Sequence, residues 1–134
     1  MFFEMACNYN SSEICALFVR ALEIQEEASN YGFEWLDVSG ILEKIREELD
    51  EIEKEVVKGD LPKLKKEIGD LYMAGLHLAQ FLKLDPVECL EVACNTFEKR
   101  WRKVLENVKD LPDDKVARLE YLESVWQSVK SLGE

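Results

Sequence analysis

Glycine and proline are scarce in this chain, six and three in 134 residues, and they fall where helices would end. No stretch alternates apolar and polar residues as a half-buried strand does, so no β architecture is expected. Internal repeats, linkers and low-complexity segments are missing as well. The one histidine, His77, and four cysteines without CxxC spacing (Cys7, Cys15, Cys89, Cys94) cannot complete a zinc site. Cys15 and Cys94 fall inside amphipathic patterns, where a thiol acts as a small hydrophobe. No apolar run approaches the ~18–20 residues of a membrane helix. The opening residues Met1–Ala6 include Glu4 and no basic residue, which excludes a signal peptide and points to the cytoplasm. Positive charge is also in short supply: 17 Lys and Arg stand against 28 Asp and Glu, for a net charge of −11. Such a surface repels nucleic-acid backbones, so no nucleic-acid partner is expected. An anionic nucleotide can still bind if metal ions stand between it and the protein.

What remains is helical. The hydrophobic share of 47% and charged share of 34% describe a soluble globular chain, long enough for one domain over residues 1–134. Residues 1–10 read as a loosely ordered extension. Helix one is expected over about Ser11 to Asn30, striped by Ile14, Leu17, Phe18, Ala21, Leu22 and Ala28 and ended by Gly32. Helix two spans Val38 to Lys58, with Ile41, Leu42, Ile45, Leu49, Ile52 and Val56 inward and Gly59 as its stop. Helix three starts near Asp60, with Pro62 in its first turn, and reaches about Leu82; Leu64, Ile68, Leu71, Gly75, Leu78 and Leu82 form its buried side. Asp85-Pro86-Val87-Glu88 reads as a cap, a first-turn proline and a capping-box Glu. Helix four follows with Val87, Leu90, Phe97, Trp101, Val104 and Val108 near one face. After Leu111-Pro112, a last helix from about Asp114 carries Leu119, Leu122, Trp126 and Val129. The fold class is all-α, a four-to-five-helix bundle.

Helices two and three each carry acids one turn apart: Glu47, Glu48 and Glu51 (EExxE), then Glu67 and Asp70 (ExxD). Residues three apart share a helix face, with Cβ atoms about 5–6 Å apart. Helical phase places Glu48 at the edge of the apolar stripe and Glu51 one step further out, in a ridge with Lys44 and Glu55. Glu67 and Asp70 likewise border the core of helix three, with Ala74 and His77 continuing their line. Side by side, the two helices would gather four carboxylates, which only protons or divalent cations stabilise. Either motif alone also arises on solvated faces supported by Glu–Lys pairs. Their pairing along the core border favours a metal site, and spacing alone leaves both readings open.

Six ordered segments carry a resemblance covering about Leu17 to Lys130. They are Arg20-Ala21-Leu22-Glu23-Ile24-Gln25, Gly32-Phe33-Glu34-Trp35, Lys44 through Glu51, Glu67-Ile68-Gly69-Asp70-Leu71, Phe97-Glu98-Lys99-Arg100 and Val125-Trp126-Gln127-Ser128-Val129-Lys130. In these the chain resembles the MazG nucleoside triphosphate pyrophosphohydrolases of the all-α NTP pyrophosphohydrolase superfamily, most closely the C-terminal catalytic half of two-domain MazG proteins. The resemblance implies that Glu48, Glu51, Glu67 and Asp70 are ligands of Mg²⁺, with Mn²⁺ a possible substitute, and that Glu47 is a bridging group or base. It implies that Lys44, Lys63, Arg100, Trp126 and Lys130 surround the nucleotide. An Arg can grip a phosphate bidentately, a Lys supplies a mobile charge, and a Trp offers a stacking face. On pattern alone, Trp126, Phe33 and Trp35 suit packing better than base contact, and His77 suits a hydrogen bond better than ligation.

Four positions, in three places, depart from the family pattern. Thr96 and Cys94 stand where relatives carry Lys and Asn, His77 where they often have Asn, and Glu34 where they have Asp. The implied reaction is NTP + H₂O → NMP + PPi, performed by a homodimer or larger assembly that completes the bundle; apolar residues on several faces of helix three, such as Leu71, Tyr72, Met73 and Leu76, suit that. A nucleotide-selective relative (a dUTP or dCTP pyrophosphatase, or a phosphoribosyl-ATP pyrophosphohydrolase) is the alternative within the superfamily. A non-catalytic helical interaction protein is the alternative outside it. A di-iron carboxylate bundle is set aside for want of Glu-x-x-His motifs.

Overall fold

Asn10 opens the first helix, its side chain accepting from the backbone amides of Ser12 and Glu13. The computed structural model describes residues 10–133. Met1–Tyr9, most of the expected N-terminal extension and the position of Cys7, and Glu134 lie outside the described residues. Five helices follow: α1 Ser11–Asn30, α2 Val38–Lys58, α3 Leu61–Phe81, α4 Pro86–Asn107 and α5 Lys115–Ser131. There is no strand among the described residues, so the all-α class holds. No helix among them is long and apolar enough to cross a membrane.

The helix ends follow local chemistry. Asp37, Asp60 and Asp114 cap α2, α3 and α5 through their side chains. Gly32 takes φ +105° past the end of α1, and the Phe33 amide returns to the Ala28 carbonyl at 2.9 Å. Gly59 ends α2 in the left-handed region at φ +72°. The end of α3 breaks this pattern. Lys83, not a glycine, takes φ +62°, while the Leu84 amide bonds to the Ala79 carbonyl.

Two compact units contain these helices. In the first, which runs to Asp85, α2 packs along α3 and α1 rests on α3. Gln25 of α1 donates to the Met73 carbonyl at 2.8 Å, and Gln80 of α3 donates to the Leu22 carbonyl at 3.2 Å. These two cross-helix bonds fix the register of α1 on α3. In the second unit, from Pro86, α4 pairs with α5. Val104 and Val129 are buried there, and the Tyr121 hydroxyl accepts from the Lys109 amide at 3.1 Å across the connecting turn.

The apolar stripes are less completely buried than their periodicity suggests. On α2, Ile41 is buried but Leu42, Leu49 and Val56 are exposed, while Glu48 and Glu55 are buried instead. Ile14, Leu17, Leu82, Val87, Leu90, Phe97 and Leu119, all expected inward, are exposed as well, as is Gly75. The sequence pattern thus located the faces of α2 only to within one residue step. The side of α2 that meets α3 runs through Ile41, Glu48 and Glu55, one heptad apart. Cys15, Cys89 and Cys94 are free and exposed, so Cys15 and Cys94 do not serve as buried hydrophobes.

Candidate metal centre

Packing of α2 on α3 brings Glu48, Glu67 and Asp70 together. One carboxylate oxygen from each can be chosen so that all lie within 4.8 Å of one another. Glu48 is 3% exposed, and Glu67 and Asp70 are half-buried. The one-turn spacing of Glu67 and Asp70 on α3 points both at the same stretch of α2. Lys44 Nζ lies 2.8 Å from Glu48 Oε1, one turn earlier on α2, and Lys66 Nζ lies 2.7 Å from Asp70 Oδ2. Glu48 Oε2 is buried without a hydrogen-bond partner.

Electrostatics records the crowding. The Glu67 carboxyl is held above its ordinary value, first by a hydrogen bond shared with Glu48, then by burial and by the charges of Glu48 and Asp70. Lys44 is raised chiefly by its hydrogen bond to Glu48, with Glu47 and Asp70 adding to it. Lys66 is raised by its hydrogen bond to Asp70. These groups form a negative pocket in which a proton or a cation is favoured over three bare carboxylates. The donor set is entirely oxygen, which suits a hard divalent cation.

The other expected site residues are placed as follows. Glu51 is outside this group, half-exposed, with its carboxylate 3.4 Å from Lys54 Nζ. Glu47 is exposed, and so are Lys63 and Lys130. In the second unit, the Arg100 guanidinium lies over the Trp126 ring, 5.9 Å from its centroid, and Phe97 meets the same ring at 5.1 Å. The structure thus joins Glu48, Glu67, Asp70 and Lys44 into one constellation, and Arg100 and Trp126 into another.

Two acids that sequence reading did not assign to a site also have distinct surroundings. Glu55 is 5% exposed, with Oε1 3.7 Å from Lys58 Nζ and Oε2 unpartnered. Its place in the Lys44–Glu48–Glu51 ridge was the available signal. Glu34 Oε1 lies 2.7 Å from His77 Nε2 and accepts from the Trp35 amide, while Ser29 Oγ donates to Oε2. Desolvation opposes the charge on Glu34, but these three donors outweigh it and hold the carboxyl below its ordinary value. His77 therefore fills the hydrogen-bonding role expected of it. Nothing in the sequence signals its partner, 43 residues away.

No model of a known protein family matches the chain. Individual proteins do. It is 37% identical over 111 residues to the nucleoside triphosphate pyrophosphohydrolase/pyrophosphatase MazG of Thermotoga maritima, covering 82% of this chain and 42% of that protein. It is 36% identical over 115 residues to the nucleoside triphosphate pyrophosphohydrolase of Escherichia coli K12, covering 84% of this chain and 44% of the relative. The chain spans less than half the length of the curated relatives it matches. Over that span it is their homologue, as the ordered motifs implied.

Proposed function

We propose that this homologue of the MazG nucleoside triphosphate pyrophosphohydrolases is itself such an enzyme, cleaving NTPs or dNTPs between the α and β phosphates to NMP and PPi. The observation that carries this is the Glu48–Glu67–Asp70 cluster on two packed helices, with an unpartnered buried oxygen on Glu48. Glu48, Glu67 and Asp70 would hold Mg²⁺, or Mn²⁺ in its place, with Glu51 one turn along α2 joining them once released from Lys54. When bound, such a cation screens phosphate charge and lowers the pKa of a coordinated water. The remaining work falls to side chains. Lys44 balances the charge of Glu48 and stands at the rim to meet a phosphate. Glu47, exposed beside it, is the candidate base. Lys63 supplies a further cation for the phosphates; in the second unit, Arg100, steadied by Trp126, and Lys130 are the cations proposed to contact a nucleotide. Thr96 takes no part in this charge balance, and its hydroxyl donates to the Val92 carbonyl at 2.8 Å.

The same reading includes a homodimer. Its support is the apolar surface left on both units, including Tyr72 of α3, Leu90 and Phe97 of α4 and Leu119 of α5. Light scattering tests it directly, with a mass near twice 15.6 kDa expected. The activity is tested by Mg²⁺-dependent pyrophosphate release from a panel of nucleotides. Turnover confined to one base would favour the nucleotide-selective alternative.

A further inference from the structure

Two of the three clustered acids have a lysine one turn ahead of them. Lys44 precedes Glu48 on α2, and Lys66 precedes Asp70 on α3, each by four residues. Both ammoniums reach their acids closely, at 2.8 Å and 2.7 Å. The function proposed above gives Lys44 a role and leaves Lys66 without one.

The Lys66–Asp70 pair is a weak device for holding the fold. The Lys66 side chain is 72% exposed and that of Asp70 36%, so water screens their attraction and the pair contributes little. A lysine before its acid is also the less favourable order on a helix. The surroundings of Lys66 say more. Its ammonium is held above its ordinary value first by the hydrogen bond to Asp70 and the charge of that acid, then by the charges of Glu67 and Glu48. Lys66 thus answers to all three acids of the cluster, including the one on the other helix.

Placement sets the two lysines apart. Gly59 and Asp60 alone join α2 to α3, so the packed helices run antiparallel. A lysine one turn N-terminal to its acid on each helix therefore flanks the cluster from opposite ends, about 6 Å along its own helix. Charge completes the picture. Three carboxylates and two ammoniums carry one net negative charge. With a divalent cation seated the balance becomes one positive charge, and Asp70 exchanges its ammonium partner for the ion. Glu47 and Glu51 lie nearby but are exposed, where water screens them. Ammoniums released at both ends of such a site suit an extended anion with oxygens along its length, which is what a phosphate chain offers.

We infer that Lys66 is a further phosphate-binding residue of the proposed enzyme: it neutralises Asp70 in the metal-free cluster and passes its ammonium to an oxygen of the phosphate chain, at the end opposite Lys44, when Asp70 turns to the cation. This rests on the function proposed above. A lysine suits the exchange because its charge sits on a long flexible stem. Lys66 therefore competes with a cation that arrives alone and assists one that arrives with phosphate.

The test uses the full chain, Lys66→Gln and, as a control of equal charge, Lys65→Gln. Lys65 is exposed as well, but projects about 100° round α3 from Lys66. Affinity for Mn²⁺ alone is measured by electron paramagnetic resonance, and affinity for the preformed Mn²⁺–pyrophosphate complex by calorimetry. Lys66→Gln should bind Mn²⁺ alone about three-fold more tightly. It should bind the pyrophosphate complex about ten-fold more weakly. Lys65→Gln should move either affinity by less than about two-fold. Shifts of one sign in both affinities, or shifts that Lys65→Gln reproduces, overturn the inference. Nucleotide hydrolysis by the unaltered protein is followed in parallel. Turnover in a protein whose Lys66→Gln variant behaves like Lys65→Gln removes the role of Lys66 and leaves the hydrolase reading intact. Opposed shifts in a protein that turns over no nucleotide sustain Lys66 as a phosphate ligand and sink the hydrolase reading.

Discussion

Glu48 Oε1 lies 2.8 Å from Lys44 Nζ while Oε2 of the same carboxylate is buried with no partner. Lys44 pairs with this carboxylate from its own helix, and one oxygen each of Glu48, Glu67 and Asp70 lie within 4.8 Å of one another. Three carboxylates gathered this closely repel one another unless a proton or cation joins them.

Mg²⁺ should therefore stabilise the fold. At a hundred times its dissociation constant a ligand contributes about 2.7 kcal/mol, on the order of 10 °C in melting temperature for a chain of this size. Glu48→Gln should melt in EDTA no lower than the unaltered protein, because it removes like charge from the cluster, and should gain little from Mg²⁺. Thermal denaturation with and without the metal checks both.

Glu34 should link stability to pH. Its folded-state value is depressed, so its contribution is fully present above the ordinary carboxylate value near 4.5. It is lost as pH falls through the lower folded value. Glu34→Gln should cost about 1 kcal/mol at pH 7. The gap between variant and parent should close under acid, as urea denaturation at pH 7 and pH 3 would record.

Lys83 holds a left-handed conformation that side chains disfavour. Lys83→Gly should stabilise the protein by about 1 kcal/mol. Chemical denaturation would show a raised midpoint with an unchanged slope.

Gly40→Ala should displace Trp35, since the added Cβ meets its ring at 2.5 Å. Overpacking of this kind costs about 1–3 kcal/mol. The readouts are a lower melting temperature and a red-shifted tryptophan emission.

Much of the architecture was legible because the helix boundaries are written in local chemistry. Gly32, Gly59 and Asp114 act where their types predict. The end of α3 was placed within a residue, yet its left-handed Lys83 was not legible, since no residue preference marks it. The phase of α2 was the main point of difference. Periodicity assumes that apolar side chains face inward, whereas α2 turns Glu48 and Glu55 towards its buried side and leaves Leu49 and Val56 outside. The same choice that defeats an apolar-stripe reading creates the cluster. That Glu48 meets Glu67 and Asp70 could be anticipated from one-turn spacing on adjacent helices. That Glu51 pairs with Lys54, and that Glu34 reaches His77, depends on side-chain choices and on α1–α3 packing that spacing does not encode.

Pyrophosphate release from a panel of NTPs and dNTPs with Mg²⁺, run beside Glu48→Gln and Glu67→Gln, decides whether the acidic cluster is a hydrolytic centre. Metal-dependent formation of NMP and PPi is expected, reduced about 10²-fold or more in both variants. A folded protein of normal helix content that releases no pyrophosphate from any nucleotide would contradict it and leave a helical interaction protein as the better description.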